Sequence, residues 1–142
     1  MATESTDQWH ISDAWLLAAI SRARPDPASG GASLAEVLIV AEGINHATPT
    51  RDETELALRC LLGTGLIAVD AAYHFRVTEA GEQVLLRWRH GQFGWIDALP
   101  PALRRIGPPQ RAEWSLPPGA YDEAVEQARL RYQAIRTRHT AT

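Results

Sequence analysis

Two four-residue stretches constrain this chain more than anything else in it: Ser33-Leu34-Ala35-Glu36 and Thr50-Arg51-Asp52-Glu53. Each sets a hydroxyl three residues before a Glu. In that pattern the hydroxyl accepts the amide of the third helical residue, and the carboxylate reaches back to the amide of the cap. Each stretch therefore predicts a helix start. Pro49 stands directly before the second, so the helix opened at Ser33 must already have ended, and Gly43 weakens it near its end. Leu34, Val37, Leu38, Ala41 and Ile44 give that helix a buried side. The helix opened at Thr50 is expected to run to Leu62 or Gly63. Capping also supplies a structural cause for Asp52 and Glu53, because carboxylates are favoured at a helix N-terminus.

The flanking sequence completes the pattern. A first helix is expected from Ser12 or Asp13 through Ala23, with Trp15, Leu16, Ala19 and Ile20 as its apolar stripe and Trp9 and Ile11 placed to staple its start. Arg24 to Ala32 is a loop by composition. After the third helix, Gly65 turns the chain into a strand, Leu66 to Asp70. Ala71-Ala72 connects it to a return strand, Tyr73 to Val77, with Tyr73, Phe75 and Val77 on one face and His74 and Arg76 on the other. Thr78 caps a further helix, Glu79 to His90, carrying Val84, Leu85 and Trp88. The order is helix, helix, helix, hairpin, helix: a mainly α fold with a small two-stranded β-hairpin, in the α+β class.

Leu58 to Leu85, "LRCLLGTGLIAVDAAYHFRVTEAGEQVL", resembles the third helix, wing and following helix of bacterial winged helix-turn-helix regulators of the MarR or PadR kind. The pattern Leu-x-x-Leu-x-x-x-Gly-Leu is met by Leu58, Leu61, Gly65 and Leu66. The strand-to-helix turn that follows is met by Phe75, Arg76, Val77, Thr78 and Gly81. The resemblance covers residues 12–90 and implies a non-catalytic winged-helix regulatory protein, nominally a DNA-binding transcriptional regulator. In that register Leu58 and Leu61 face the core. Glu53, Leu56, Ala57 and Cys60 face the groove, with Arg51 and Arg59 at its edges. Double-stranded DNA is then a candidate partner, and Arg51, Arg59, Arg76 and His74 are its candidate contacts.

The charge layout argues against that partner. Met1 to Thr78 holds five Arg against ten acids, whereas Glu79 to Thr142 holds nine Arg against seven. The third helix opens Arg51-Asp52-Glu53-Thr54-Glu55, and the hairpin tip is Asp70-Ala71-Ala72. A DNA binder typically neutralises ~6–10 phosphates, and this half offers few cations for the purpose. The alternative is a winged-helix protein-protein interaction module with no DNA binding, docking a protein partner on the small apolar face of Leu56, Ala57 and Cys60.

Beyond His90 the composition changes. Three Pro-Pro pairs alternate with Phe93, Trp95, Ile96, Leu99, Leu103, Ile106 and Trp114 between Gly91 and Gly119. Such a stretch is too apolar for a flexible linker. It is expected to wrap the winged-helix body, with a short helix at Ala102 to Ile106. Tyr121 to His139 reads as a final helix with a narrow seam of Tyr121, Val125, Ala128, Tyr132 and Ile135. Arg136 and Arg138 lie at its end, where the macrodipole favours them. This helix either docks on its own domain or pairs with a second copy, which makes a homodimer a candidate assembly. The organisation is thus a winged-helix domain at 12–90, a wrapping segment at 91–119 and an amphipathic helix at 120–139.

Reaction chemistry is absent from the pattern. Cys60 is the sole cysteine and can form no internal disulfide. The five His are scattered without metal-ligand spacing, and no serine lies in a nucleophile elbow. No metal, cofactor or enzymatic activity is expected. The polar stretch Met1 to His10 lacks a basic leader, and Ala14 to Ile20 is too short to span a membrane. The chain is read as cytoplasmic, with no membrane partner.

Overall fold

A computed structural model describes residues 8–140, the side chains of 138–140 excepted. The polar opening at residues 1–7, and residues 141–142, lie outside it. The elements are α1 (Ile11–Arg22), α2 (Leu34–Asn45), α3 (Arg51–Gly63), β1 (Ile67–Val69), β2 (Phe75–Val77), α4 (Glu79–Arg89), α5 (Trp95–Arg105) and α6 (Ala120–Thr140). The fold is mainly α with one antiparallel hairpin, in which Ile67 pairs with Val77 and Val69 with Phe75. Among the described residues no helix is long and apolar enough to cross a membrane.

Helix α1 is the centre of the molecule. Every residue from Ser12 to Ile20 is buried, and the helix packs against α2, α3, α5 and β2. A helix apolar around most of its circumference must be enclosed in this way. The Trp15 indole donates to the Ala41 carbonyl at 2.8 Å, fixing α1 to the end of α2. The chain enters α1 at Ile11, one residue earlier than expected, because the Asp13 carboxylate accepts the His10 amide at 2.7 Å. Ile11 itself is exposed and staples nothing; the Trp9 indole instead donates to the Gly107 carbonyl at 2.8 Å.

Both capping stretches start helices. At α3 the box is complete: Thr50 Oγ1 accepts the Glu53 amide at 3.1 Å and Glu53 accepts the Thr50 amide at 2.9 Å. Removing the hydroxyl with Thr50→Ala is expected to cost about 1 kcal/mol, read as a lower urea midpoint at unchanged slope. At α2 only half forms. Ser33 Oγ accepts the Glu36 amide, but the Glu36 carboxylate turns outward to pair with Arg131 of α6. Helix α2 ends at His46, whose backbone is left-handed at φ 58, so Asn45-His46 serves as a helix stop.

Further elements differ from the sequence expectation. The hairpin strands are short because the Asp70 carboxylate accepts the amides of Ala72 at 2.9 Å and His74 at 3.0 Å. Tyr73 is thereby held at φ 60 and belongs to the turn, not to the strand face with Phe75. The loop before α2 also joins the hairpin edge, where Ala32 and Phe75 exchange both backbone hydrogen bonds at 2.8 Å. Helix α5 starts at Trp95, not Ala102, and carries Pro100 and Pro101 inside it. Those prolines remove two backbone donors. Burial of Trp95, Leu99, Ala102 and Leu103 on one side offsets that loss.

Helix α6 docks on its own domain, against α2, through half-buried Tyr121, Val125 and Ala128 and buried Ala124. The Tyr121 hydroxyl donates to the Pro49 carbonyl. The later seam residues Tyr132 and Ile135 are exposed, as is Leu130.

Candidate functional site

The face of α3 that looks away from the core is the natural place to seek a function. Thr54, Ala57, Leu58 and Leu61 form the inward side of the helix and are wholly buried. Ala57 therefore belongs to the core and is not part of a docking face. The expected apolar patch is further dismantled at Cys60, which is 2% exposed. Of that trio, only Leu56 stays half-buried.

What covers α3 is the chain's own segment between α5 and α6. It runs antiparallel to the helix, and α3 grips its backbone at successive positions. The Gln110 amide donates to Thr64 Oγ1 at 3.1 Å. The Ala112 amide donates to the Arg59 carbonyl at 2.9 Å, while Arg59 Nε donates to the Ala112 carbonyl at 3.1 Å. The Leu116 amide donates to the Glu55 carboxylate at 2.9 Å. At the far end the approach is so close that a Cβ on Gly63 would overlap the Gln110 carbonyl and lie 2.6 Å from the Ala112 nitrogen.

The covering segment is an extended peptide with a two-residue period. Ala112, Trp114 and Leu116 turn inward, whereas Arg111, Glu113 and Ser115 are exposed. Trp114 meets the hairpin, edge-on to Phe75 at 6.0 Å between ring centroids and tilted against Tyr73 at 6.4 Å. Helix α3, the hairpin and the Trp114 segment thus form one packed unit.

Beneath it lies a carboxylate. Asp13 is fully buried and its Oδ1 has no hydrogen-bond partner among the described residues. Burial raises its pKa to about 6, against the opposing pull of the His10 amide and the charges of His10 and Arg111. Burial also raises the pKa of the Cys60 thiol, and the Asp13 charge adds to the shift. Cys60 is therefore held as a thiol and not as a nucleophilic thiolate.

The expected DNA contacts are scattered. Arg59 is spent on Ala112. Arg51 is exposed but leans on Asp52 at 3.4 Å and Glu55 at 3.8 Å. Arg76 is exposed on β2. His74 Nδ1 lies 2.8 Å from Ser29 Oγ, with the Asp26 and Asp70 carboxylates each 4.0 Å from the same nitrogen. A serine-histidine-acid relay needs serine and acid on opposite ring nitrogens, so this cluster braces the loop against the hairpin. Among the described residues no group of three His, Cys, Asp or Glu could hold a metal ion.

No protein-family model, curated protein or solved structure matches the chain. Gly63, Glu55 and Thr64 are the site residues that sequence reasoning passes over. The alternation Ala112-x-Trp114-x-Leu116 is the signal that points to the segment they hold.

Proposed function

We propose that this chain is a non-catalytic winged-helix protein whose third helix serves protein recognition and not DNA reading. One observation carries the reading: α3 is engaged from Glu55 to Thr64 by an extended peptide through contacts to its backbone, while the peptide's Trp114 packs on the adjoining hairpin. Peptide recognition commonly uses main-chain hydrogen bonds for affinity and alternate side chains for selectivity. The acidic opening of α3 and the acidic hairpin tip agree with it, because neither suits a polyanion.

DNA-binding regulation is the second reading, favoured by the exposed Arg51 and Arg76. The two separate on affinity for random duplex DNA as salt is raised. For the intact protein we expect no binding at low salt, and none after the cover is loosened by Trp114→Ala with Leu116→Ala. Binding that falls steeply with salt and weakens in Arg51→Ala and Arg59→Ala would replace this reading with the regulator.

A further inference from the structure

The segment covering α3 is bounded by two glycines with positive φ, Gly107 at 104° and Gly119 at 80°. Beyond the adjacent residues of the chain, no heavy atom lies within 4 Å of a Cβ built on either. Backbone conformation, and not crowding, is therefore what calls for glycine at both points. Pro108-Pro109 follow Gly107 directly, and Pro117-Pro118 directly precede Gly119. Paired prolines favour a straight, extended chain, so the backbone freedom at the start of the segment lies at Gly107, whose carbonyl accepts the Trp9 indole. If Gly107 straightens, the segment is carried away from its own body with its docking pattern intact.

We propose that the groove formed by α3 and the hairpin accepts this same segment from a second copy of the chain, so that two molecules exchange their C-terminal arms, residues 108–140. The second copy is the occupant because its segment already has every partner the groove provides. Those partners are Thr64 for the Gln110 amide, Arg59 for Ala112, Glu55 for the Leu116 amide, and the Tyr73 and Phe75 rings for Trp114. Helix α6 travels with the segment, since Tyr121 on Pro49, Arg131 on Glu36 and the buried Ala124 are likewise contacts between arm and body. Every such contact is the same whether the arm is its own or its neighbour's. Exchange therefore keeps the contacts of the arm and alters the hinge, including the Trp9 bond to the Gly107 carbonyl; keeping native contacts is what makes segment swapping a low-cost route to dimers. The arrangement differs from a pairing of two α6 helices, and it rests on the reading of α3 as a protein-recognition face, whose partner it names.

Two measurements test it. The first is mass by native mass spectrometry and sedimentation over a wide range of concentration, after refolding at high concentration. Wild type is expected to form a dimer. Gly107→Ala strains the closed conformation at its positive φ without meeting the rest of the body, so it is expected to raise the association constant by about tenfold or more. A strictly monomeric wild type, or a Gly107→Ala variant with unchanged association, would overturn the proposal. The second is complementation between Gly63→Val, with a blocked groove and a sound arm, and Trp114→Ala/Leu116→Ala, with a sound groove and a weakened arm. Hydrogen exchange in α1 and α2 verifies that each body is folded. A one-to-one mixed dimer is expected. The absence of any mixed species overturns the exchange. So does a synthetic peptide of residues 107–119 that binds the weakened-arm variant while wild type stays monomeric, since the groove would then serve some other chain.

Discussion

Gly63→Ala is expected to destabilise the protein by about 2–3 kcal/mol, although it replaces the poorest ordinary helix residue with the best. On a solvent-facing helix the same change would stabilise by up to ~1 kcal/mol. The sign reverses because the added methyl would meet backbone. It would overlap the Gln110 carbonyl and sit 2.6 Å from the Ala112 nitrogen. Those atoms cannot swing aside as a side chain would, since Gln110 is tied to Thr64 and Ala112 is tied to Arg59 in both directions. The segment must lift, surrendering those bonds and loosening Trp114 from the hairpin. Urea unfolding measures the loss, and hydrogen exchange at the Ala112 amide places it, because that amide should lose protection before the amides of α1. A variant as stable as wild type, or more so, would mean that α3 is not covered at Gly63.

What the sequence can reveal is what is local. A cap needs only residues three apart in the chain, so Ser33 and Thr50 announce α2 and α3 without knowledge of the rest. The hairpin is equally local, built from Gly65, the Asp70 turn and alternating strand residues. The misreadings share a different cause. Glu36 has a capping role available beside it and takes Arg131 from the far end of the chain. Pro100 and Pro101 argue for a helix boundary by backbone chemistry, yet a buried face of Trp95, Leu99, Ala102 and Leu103 carries α5 through them. The register implied by the winged-helix resemblance assigns Ala57 and Cys60 to an open face, whereas both are buried. Arg59 resembles a phosphate contact because an arginine on a third helix has that use. Here its guanidinium reads a peptide carbonyl. Charge is legible in the sequence, but the occupant of the face is not.

The second large effect concerns Asp13, whose carboxylate is fully buried with one oxygen unpartnered among the described residues. Its folded pKa is raised from 3.8 to about 6, so the folded state holds this proton more tightly than the unfolded chain does. The stability it contributes is complete below pH 3.8 and is lost as pH rises through about 6. The loss amounts to at most about 3 kcal/mol, since each pH unit between the folded and unfolded values is worth ~1.4 kcal/mol. Asp13→Asn mimics the protonated form and keeps an oxygen for the His10 amide. It is expected to be the more stable protein at about pH 7.5 and to lose that advantage by about pH 4, as read from urea midpoints across the interval. A stability difference between the Asp13→Asn variant and wild type that does not change with pH would show that the carboxylate is hydrated after all. The cause of the shift also links the two experiments. Arg111 on the covering segment is one of the charges Asp13 feels, and burial is the larger influence. Lifting that segment with Gly63→Ala should let water reach the carboxylate and return its pKa toward 3.8. In that background the gain from Asp13→Asn at neutral pH should shrink by about 1 kcal/mol or more, the size of coupling found between residues in contact. Strict additivity would place Asp13 outside the reach of the cover.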